Sequence, residues 1–345
     1  MSRIAVVTSS PPGVEGGHLV IARALERALR DAGHETGIVL TPDYGFGRQA
    51  SQYLATWRTR IAETAGGRID RVISLRYPSY AVRHPNHVSW LNHTMREYYD
   101  QWERFSAPLS PQGRMKERVR RALIHAADHY LLTRNVRKLF VQSRTLQQRL
   151  AIWPDLTSEV LYPPAPQRPY RCDRYGDDIF MVSRLTPLKR QELLVRALVT
   201  PDGRRIRAAI AGEGEDHKRL DALIRQLGVG DRVQLLGRID DGEALDRLAA
   251  CRAVCFPPVQ EDYGFVTVEA FASRKAVVTC YDSGGPAELV EDGVSGFICE
   301  PTPESLAGAL RRLCDDGALA ERMGAAGFER GSRLSWGETV RRLTA

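Results

Sequence analysis

The chain has 345 residues, of which 43% are hydrophobic and 26% charged, and its formal net charge is +7. This length exceeds one typical core and predicts two domains of roughly 150 to 190 residues. Apolar runs stay well short of the roughly 20 residues that cross a bilayer, so a membrane-spanning helix is not expected. The positive charge favours an anionic partner, unless arginine is simply the usual surface residue of this chain. The sequence lacks RNA-binding aromatic signatures, helix-turn-helix patterns and zinc fingers, so nucleic acid is not expected as the partner.

All six cysteines lie between Cys172 and Cys314, and none forms a C-x-x-C pair. Cys251 and Cys255 are the closest in sequence, but no histidine is near enough to complete a zinc set, so core thiols are expected. The N-terminal stretch MSRIAVVTSSPPG is atypical of a secretory signal and typical of a first strand. These features together predict a reducing, cytoplasmic location.

The first half of the chain alternates predicted strands with predicted helices. An apolar run at 3–10 reads as a buried parallel strand, and a glycine-rich turn and an amphipathic helix ending near Gly33 follow it. Further strands are predicted at 35–42, 71–78, 87–94 and 138–143. This alternation predicts a doubly wound α/β domain.

The second half repeats the pattern after a stretch rich in Pro, Tyr and Arg at 153–176, which has the composition of an interdomain connection. Strands are predicted at 178–185, 205–214, 232–239, 252–259, 275–280 and 295–300. We therefore predict two Rossmann-like domains, at 1–165 and 166–330, and an amphipathic C-terminal helix at 331–345. Because ligands of such sheets bind beyond the carboxyl ends of the strands, the cleft between the domains is the expected site.

The segment SRLTPLKRQELL places Arg184 at the end of a predicted strand and Lys189 five residues later, just before a helix. Two cations at this position suit a diphosphate, although isolated surface arginines and lysines are usually only solvated. The turn GVEGGH, with Gly16 and Gly17, would let the backbone approach a phosphate or a sugar, or would be a plain turn. It matches neither G-x-G-x-x-G nor a P-loop, which argues against a dinucleotide dehydrogenase and a P-loop NTPase.

The segment EDYGFVTVEAF places Glu261 and Glu269 eight positions apart. Gly264 between them would allow a sharp backbone entry into a helix that carries Glu269. The later segment SGGPAELVEDG reads either as an anion-facing helix start or as turn chemistry alone. His93, at the end of HVSWLNHT, is a candidate for proton transfer or sugar binding, and equally for a structural role.

These segments occur together, and in this order, in a known family. The chain resembles the family 4 retaining glycosyltransferases, nucleotide-sugar-dependent enzymes with the GT-B fold, along nearly its whole length. The resemblance implies two doubly wound domains that face a central cleft, with the C-terminal helix crossing back to the first domain. The shared segments are the N-terminal glycine loop, SRLTPLK, AGEGE, LLGRI, EDYGFVTVE and GGPAELVEDGVSGF. The specific part is Glu-x7-Glu followed by Gly-Gly-x-x-Glu. The chain departs from the pattern at Ser183, where a glycine is usual. It also has LKR in place of a more common Glu-Lys pair, which makes Arg190 a further candidate for binding the diphosphate with Arg184 and Lys189.

The resemblance implies roles for matching residues of the second domain. Arg184 and Lys189 would bind the donor diphosphate and stabilise the leaving group, Glu261 would bind hydroxyls of the donor sugar, and Glu269 would bind those of the ribose. The backbone amides expected to face the phosphate and sugar are those of Gly264, Phe265 and Val266. Gly237 and Arg238 would line the base pocket.

In the first domain the resemblance assigns Gly16 and Gly17 to the donor and places His93 near the reacting sugar. The reaction it implies is transfer of a hexose, with retention, from a UDP- or GDP-linked donor to a glycan or lipid-linked acceptor. Negative charge develops on the departing diphosphate, where a cationic clamp would act. The sequence contains no Asp-x-Asp, so neither a metal nor any other cofactor is expected.

The acceptor side is less specific. Arg96, Tyr98 and Tyr99 are candidates for acceptor contacts, since aromatic rings suit sugar faces, but they also suit a core. The basic stretch 114–138 either docks on an anionic membrane or is a solvated helix face. Two other functions stay open, a nucleotide-sugar epimerase or phosphorylase on the same fold and a noncatalytic binding protein.

Overall fold

The computed structural model describes residues 1–10, 17–61 and 68–345. They form two compact units: Met1–Pro163 with Ser335–Ala345, and Pro164–Leu334. We call these the N-terminal and the C-terminal unit. The observed boundaries lie two to four residues from the predicted ones at 165 and 330.

The N-terminal unit is built on a sheet of six described strands in the order β2-β1-β3-β4-β5-β6, with every neighbouring pair parallel. The strands are β1 Arg3–Ser10, β2 Glu35–Pro42, β3 Arg71–Arg76, β4 His87–His93, β5 Lys138–Val141 and β6 Glu159–Val160. The first five were predicted, β1 and β2 with the observed bounds. The two-residue β6 was missed because it lies in the stretch taken for the interdomain connection.

The described residues of the N-terminal unit form five α-helices before its last segment: α1 Gly17–Asp31, α2 Gln49–Arg58, α3 Trp102–Ser106, α4 Pro111–Arg134 and α5 Arg144–Leu150. Gly33 follows α1 with a φ of +83°, as its predicted place after the helix requires. The long helix α4 is capped at its N-terminus by Ser110, whose Oγ accepts a hydrogen bond from the Gly113 amide at 3.2 Å. Pro111 then occupies the first turn, where a missing N–H costs nothing.

The C-terminal unit contains a second parallel sheet, in the order β12-β11-β10-β7-β8-β9. Its strands are β7 Asp178–Val182, β8 Arg207–Ala211, β9 Val233–Gly237, β10 Ala253–Cys255, β11 Val277–Cys280 and β12 Gly296–Cys299. All six were predicted, and the observed strands are shorter because each predicted run included loop residues at its ends. Except for the edge strand β9, which is only partly buried, the strands are largely buried, as expected when helices cover both faces of a sheet.

The helices of the C-terminal unit are α6 Gln191–Ala197, α7 His217–Gln226, α8 Asp241–Ala250, α9 Phe265–Ala272, α10 Gly285–Leu289, α11 Pro303–Asp315 and α12 Gly317–Ser332. β7 lies between β8 and β10, so β8 and β9 are added on one side of β7, and β10, β11 and β12 are then added on its other side. In doubly wound sheets the ligand binds at such a switch point.

The last helix, α13 Trp336–Thr344, packs on the N-terminal unit, as the family resemblance implied. The Trp336 ring lies edge-on to Trp90 with centroids 6.2 Å apart, and Leu343 is buried. Arg342 Nη2 contacts Glu159 Oε2 at 2.5 Å. Across the described residues, no helix is both long and apolar enough to span a membrane.

Candidate functional site

The candidate site lies where the loops after β7 and β10 meet. These strands are parallel neighbours, so both loops leave the same edge of the sheet. The Val259 amide donates to the Leu188 carbonyl at 2.8 Å, which joins the two loops directly. A third loop, after β11, is joined to the second because the Glu261 amide donates to the Ser283 carbonyl at 2.9 Å. The structure thus brings three of the predicted motifs together.

Two glycines allow this close packing. Gly284 has a φ of +71°, and a Cβ there would lie 2.5 Å from the Glu261 carbonyl oxygen. Gly264 has a φ of +82° and precedes the first residue of α9, where a Cβ would meet the Pro286 and Phe256 side chains at 2.7 and 2.9 Å. The Gly-Gly-Pro segment therefore supports the loop of Glu261 by close backbone packing.

Arg184 and Lys189, the predicted clamp, differ in their surroundings. The Arg184 side chain is exposed, and its guanidinium has no hydrogen bond or ion pair within the described ranges. Lys189 Nζ lies 2.6 Å from Glu261 Oε2, with both side chains about one-fifth exposed. Two residues that were predicted separately, one for phosphate and one for sugar, therefore form an ion pair. Arg184 remains available to an anion.

Gln191 is a further residue of this site that the sequence did not single out. It is 2% exposed, and its Nε2 donates both to Ser183 Oγ at 2.8 Å and to the Arg184 carbonyl at 2.9 Å. The side chain therefore fixes the backbone from which Arg184 projects. Its position two residues before the apolar pair Leu193–Leu194 carries no local signal for this role, because the contact depends on how the loop folds back.

Arg190 does not join the clamp, contrary to our expectation. Its guanidinium forms a two-pronged pair with Asp282, with Nη1–Oδ1 at 2.7 Å and Nη2–Oδ2 at 2.5 Å. Arg190 has a φ of +54° and lies between the 3-10 turn Pro187–Lys189 and α6. Because this pairing ties the loop after β7 to the loop after β11, Arg190 supports the site and is not left to bind an anion.

Glu269 lies on α9, past the helix start that carries Gly264, Phe265 and Val266 as predicted. Its Oε1 is contacted by Arg168 Nη1 at 3.4 Å and by the Tyr170 hydroxyl at 3.1 Å. Sequence reasoning missed both partners, which belong to the Pro/Tyr/Arg-rich connection. The density of arginine and tyrosine there was the available signal, but we assigned it to linker composition.

Gly237 and Arg238 lie at the end of β9, on the same edge of the sheet. Gly237 has a φ of +66°, and its carbonyl accepts from the Gly212 amide at 2.7 Å. The Arg238 side chain is exposed and has no partner in the described part of the chain. A second cation without a carboxylate therefore lies at the strand ends of this unit.

The predicted residues of the N-terminal unit are placed as follows. Gly16 is outside the described residues, and Gly17 is the first residue of α1. His93 is the last residue of β4, half-buried, opposite Arg76 of β3. Its carbonyl accepts from the Tyr77 amide at 3.1 Å.

The structure contradicts the acceptor-side assignment of Arg96, Tyr98 and Tyr99. All three are buried, with exposures of 9%, 0% and 6%. Arg96 Nη2 contacts Asp100 at 2.6 Å, and the Tyr98 hydroxyl donates to Glu117 at 2.7 Å. Because their polar atoms bind protein groups and their rings pack inside the unit, they are core residues.

Tyr99 belongs to a buried cluster around Asp128 of α4. Asp128 is 1% exposed, and its carboxylate accepts hydrogen bonds from the hydroxyls of Tyr53, Tyr80 and Tyr99, the last at 2.5 Å. Burial raises the pKa of Asp128 to about 6, and the three hydroxyl donors act in the opposite direction. The cluster joins α2, the 3-10 turn at Ser79–Ala81 and α4.

The described residues contain no group of three or more His, Cys, Asp or Glu side chains arranged to hold a metal ion. The charged groups at the strand ends of the C-terminal unit are instead mostly cations and paired carboxylates. Their chemistry is therefore that of an anion-binding site next to a helix start.

Comparisons with known proteins agree with this geometry. Residues 174–330 match the family described as "Glycosyl transferases group 1". A D-inositol 3-phosphate glycosyltransferase of Kineococcus radiotolerans is 31% identical over 203 residues, which cover 52% of this chain and 47% of that protein. The chain spans less than half the length of the first curated relatives it matches.

Solved structures resemble the whole chain. The sucrose-phosphate synthase of Thermosynechococcus elongatus has a TM-score of 0.79 at 16% identity, covering 100% of this chain and 98% of that one. Anabaena Alr3699/HepE in complex with UDP-glucose has a TM-score of 0.71 at 18% identity and covers 99% of both chains. The fold is therefore that of a two-unit α/β protein of the GT-B class. The part of the chain that matches the glycosyl transferases group 1, residues 174–330, lies within its C-terminal unit.

Proposed function

We propose that the chain is a retaining glycosyltransferase that moves a hexose from a nucleotide-diphosphate sugar to a hydroxyl of a glycan or lipid-linked acceptor. The observation that carries the proposal is that Arg184, whose guanidinium has no partner among the described residues, follows the same strand end as Lys189 of the Lys189–Glu261 pair, at the switch point of the C-terminal unit. The match of residues 174–330 to the glycosyl transferases group 1 supports it.

In the proposed reaction Arg184 and Lys189 stabilise the charge that develops on the departing diphosphate. Lys189 is 2.6 Å from Glu261, so its ammonium can contact a phosphate oxygen while that carboxylate accepts from a sugar hydroxyl. The pair would thus orient the sugar–phosphate bond that breaks in the reaction. His93 is proposed to act near the reacting sugar, and Gly16 and Gly17 on the donor.

Retention is proposed to occur by substrate assistance. A retaining glycosidase would need two carboxylates about 5 Å apart, one as acid and one as nucleophile. Here the nearest partner of Glu261 is a lysine, and that of Glu269 is a tyrosine. The leaving phosphate would therefore accept the acceptor's proton on the same face. In this scheme the two cations replace a metal, and the reaction would be independent of added divalent ions.

The donor is proposed to carry UDP or GDP. The UDP-glucose complex of the Anabaena protein, which has the same fold, supports the first. Phe265, Val266, Gly237 and Arg238 would then contact the nucleotide sugar, with Glu269 on the ribose. A ligand that binds the folded state raises the melting temperature in proportion to the logarithm of its concentration over Kd.

We expect a saturating concentration of UDP or GDP to raise the melting temperature by roughly 2–6 °C. Glu269→Ala should remove most of this shift, because the ribose hydroxyls lose their acceptor. A thermal-shift screen of nucleoside diphosphates and nucleotide sugars measures both. Absence of any shift across the screen with the unaltered chain would refute the proposed donor.

Two alternatives make different products. A nucleotide-sugar epimerase would release the epimer from donor alone, and a phosphorylase would consume inorganic phosphate without a nucleotide. The family match does not favour either. A noncatalytic nucleic-acid binder would show salt-dependent polynucleotide binding that nucleotide sugar does not compete. Product analysis with donor alone, and with donor plus acceptor, separates these functions.

A groove between α2 and α4 of the N-terminal unit supports the lipid-linked acceptor. It encloses about 810 Å³ and is lined by apolar side chains that include Leu54, Trp57, Val119 and Leu123. Leu54 and Leu123 are 47% and 66% exposed. Exposed apolar side chains that line one continuous groove mark a lipid or protein contact, which scattered single ones do not.

Cations stand along the same groove. Arg48 and Lys116 line it and have no ion-pair partner in the described ranges, whereas Arg120 is paired with Glu117 at 2.6 Å. Apolar side chains next to unpaired cations complement an anionic lipid surface. We therefore propose peripheral contact of α4 with an anionic membrane, in a cytoplasmic protein.

We expect the chain to float with vesicles of mixed phosphatidylglycerol and phosphatidylcholine at physiological salt, and far less with phosphatidylcholine alone. Leu123→Glu should reduce the bound fraction roughly five-fold or more, since it adds a charge to the groove. Val294→Glu, at a 46% exposed valine of the C-terminal unit, is the matched control and should bind as the unaltered chain does. Equal binding by both variants, or none by the unaltered chain, would contradict the membrane proposal.

A further inference from the structure

The carboxylate of Glu269 is held asymmetrically. Arg168 Nη1 and the Tyr170 hydroxyl both contact Oε1, at 3.4 and 3.1 Å. Oε2 has no hydrogen-bond partner in the part of the chain that the structure describes. The side chain is only 14% exposed, so few water molecules can reach it. One oxygen of this nearly buried carboxylate is therefore fixed, while the other is left to accept a hydrogen bond from a ligand.

The charges around Glu269 act in opposite directions. Burial, the largest effect, raises the pKa of Glu269, and Asp241 raises it further. The Arg168 guanidinium and the Tyr170 hydroxyl lower it. Arg168 Nη2 also contacts Asp241 Oδ2 at 3.2 Å, which shares its charge between two carboxylates. A buried carboxylate needs such partners to stay ionised, and only the ionised form offers both oxygens as acceptors.

We propose that Arg168 and Tyr170 are positioning residues that hold Oε1 of Glu269 and present Oε2 to the ribose hydroxyls of the bound nucleotide. The inference rests on the proposed function, because it assumes that a nucleotide occupies the C-terminal unit. It extends that function by giving the Pro/Tyr/Arg-rich segment after residue 163 a part in nucleotide recognition. The two residues act through Glu269 and need not touch the ligand.

A purely structural role and a positioning role predict different effects of Tyr170→Phe. If Tyr170 only stabilises the fold, its loss weakens every nucleotide by the same factor. If it orients Glu269, its loss weakens the binding of those ligands whose hydroxyl donates to Oε2. The ratio of affinities between a ribonucleotide and its deoxy analogue therefore reports on positioning and is insensitive to general loosening.

The test is isothermal titration of the full chain with UDP, GDP and their 2′-deoxy and 3′-deoxy analogues. The unaltered chain should prefer the ribonucleotide over at least one deoxy analogue by roughly ten-fold or more, as for a site that binds a hydroxyl. Tyr170→Phe should raise the Kd of the ribonucleotide roughly five-fold and that of the deoxy analogue less than two-fold. Arg168→Ala should act in the same direction, with Arg168→Lys between it and the unaltered chain.

Tyr175→Phe is the matched control. Its hydroxyl donates to the Arg274 carbonyl at 2.7 Å in the same unit, and it does not contact Glu269, so the affinity ratio should stay unchanged. Equal weakening of ribose and deoxyribose ligands in Tyr170→Phe and Arg168→Ala would overturn the inference while leaving the proposed function intact. If the unaltered chain binds none of these nucleotides, the proposed function fails and this inference fails with it.

Discussion

The Arg184→Ala variant is expected to lose roughly 10²–10³-fold in kcat of glycosyl transfer, or about 3–4 kcal/mol of transition-state stabilisation. Arg184 is the member of the proposed clamp whose guanidinium has no partner in the described ranges, so its charge would be available to the diphosphate. The charge it meets grows as the sugar–phosphate bond breaks. The loss should therefore appear in kcat more than in KM.

Initial rates with saturating donor and acceptor measure this effect. Arg184→Lys keeps a charge but not the planar fork, and should fall between the alanine variant and the unaltered chain. Arg205→Ala is the control: this arginine is also exposed, but it precedes β8 and so lies at the opposite edge of the sheet. Normal turnover by Arg184→Ala would refute the clamp and with it the proposed mechanism.

The second large effect is on stability. Asp128→Ala should lower the free energy of unfolding of the N-terminal unit by roughly 3–5 kcal/mol. The substitution leaves three tyrosine hydroxyls, those of Tyr53, Tyr80 and Tyr99, without their common acceptor inside the unit. It also removes the carboxylate that joins α4 to Tyr53 of α2. Each buried hydroxyl without a partner costs about 1–3 kcal/mol.

All five tryptophans, at positions 57, 90, 102, 153 and 336, belong to the N-terminal unit, so their fluorescence reports the unfolding of that unit in urea. Asp155→Ala is the surface control, since the Asp155 side chain is 65% exposed and pairs only with His129 at 2.9 Å among the described residues. We expect its urea midpoint to stay close to that of the unaltered chain. A midpoint for Asp128→Ala that matches the control would show that the cluster adds no stability.

The same carboxyl predicts a pH dependence. The pKa of Asp128 is about 6 in the folded chain against an ordinary 3.8, so the folded state binds more protons between these values. Its contribution is fully present below about pH 4 and is lost as the pH rises through 6, a change of about 3 kcal/mol. The difference in unfolding free energy between the unaltered chain and Asp128→Asn should fall by this amount between pH 4 and 7. A constant difference would contradict the raised pKa.

Much of the fold followed from local patterns. Buried parallel strands produce continuous apolar runs, which is why β1 and β2 were predicted with the observed bounds and all strands of the C-terminal sheet were found. The short β6 was missed because two residues in a proline-rich stretch carry no periodicity. The place of α13 on the N-terminal unit came from the family resemblance, since its own sequence only predicts an amphipathic helix.

Within the site, the sequence by itself determined which chemical groups stand at the strand ends: Arg184 and Lys189 after β7, Gly264 and Glu261 after β10. Strand ends, glycine turns and helix starts are local features, and parallel neighbours deliver them to one edge of a sheet. The sequence likewise determined that the Arg96–Tyr99 segment is rich in polar aromatic groups. It did not determine which way those side chains point.

The tertiary structure alone decided the pairings. Lys189 meets Glu261 across 72 positions, Arg190 meets Asp282 across 92, and Tyr170 meets Glu269 across 99. It also buried Tyr98 and Tyr99 beside carboxylates of α4, where an acceptor had been expected. Each pairing depends on how loops from distant strands fold against one another, and the free energy of burial is settled only when the whole unit packs. A charged side chain without a partner nearby in the sequence is therefore available to a ligand only if no residue distant in the sequence pairs with it.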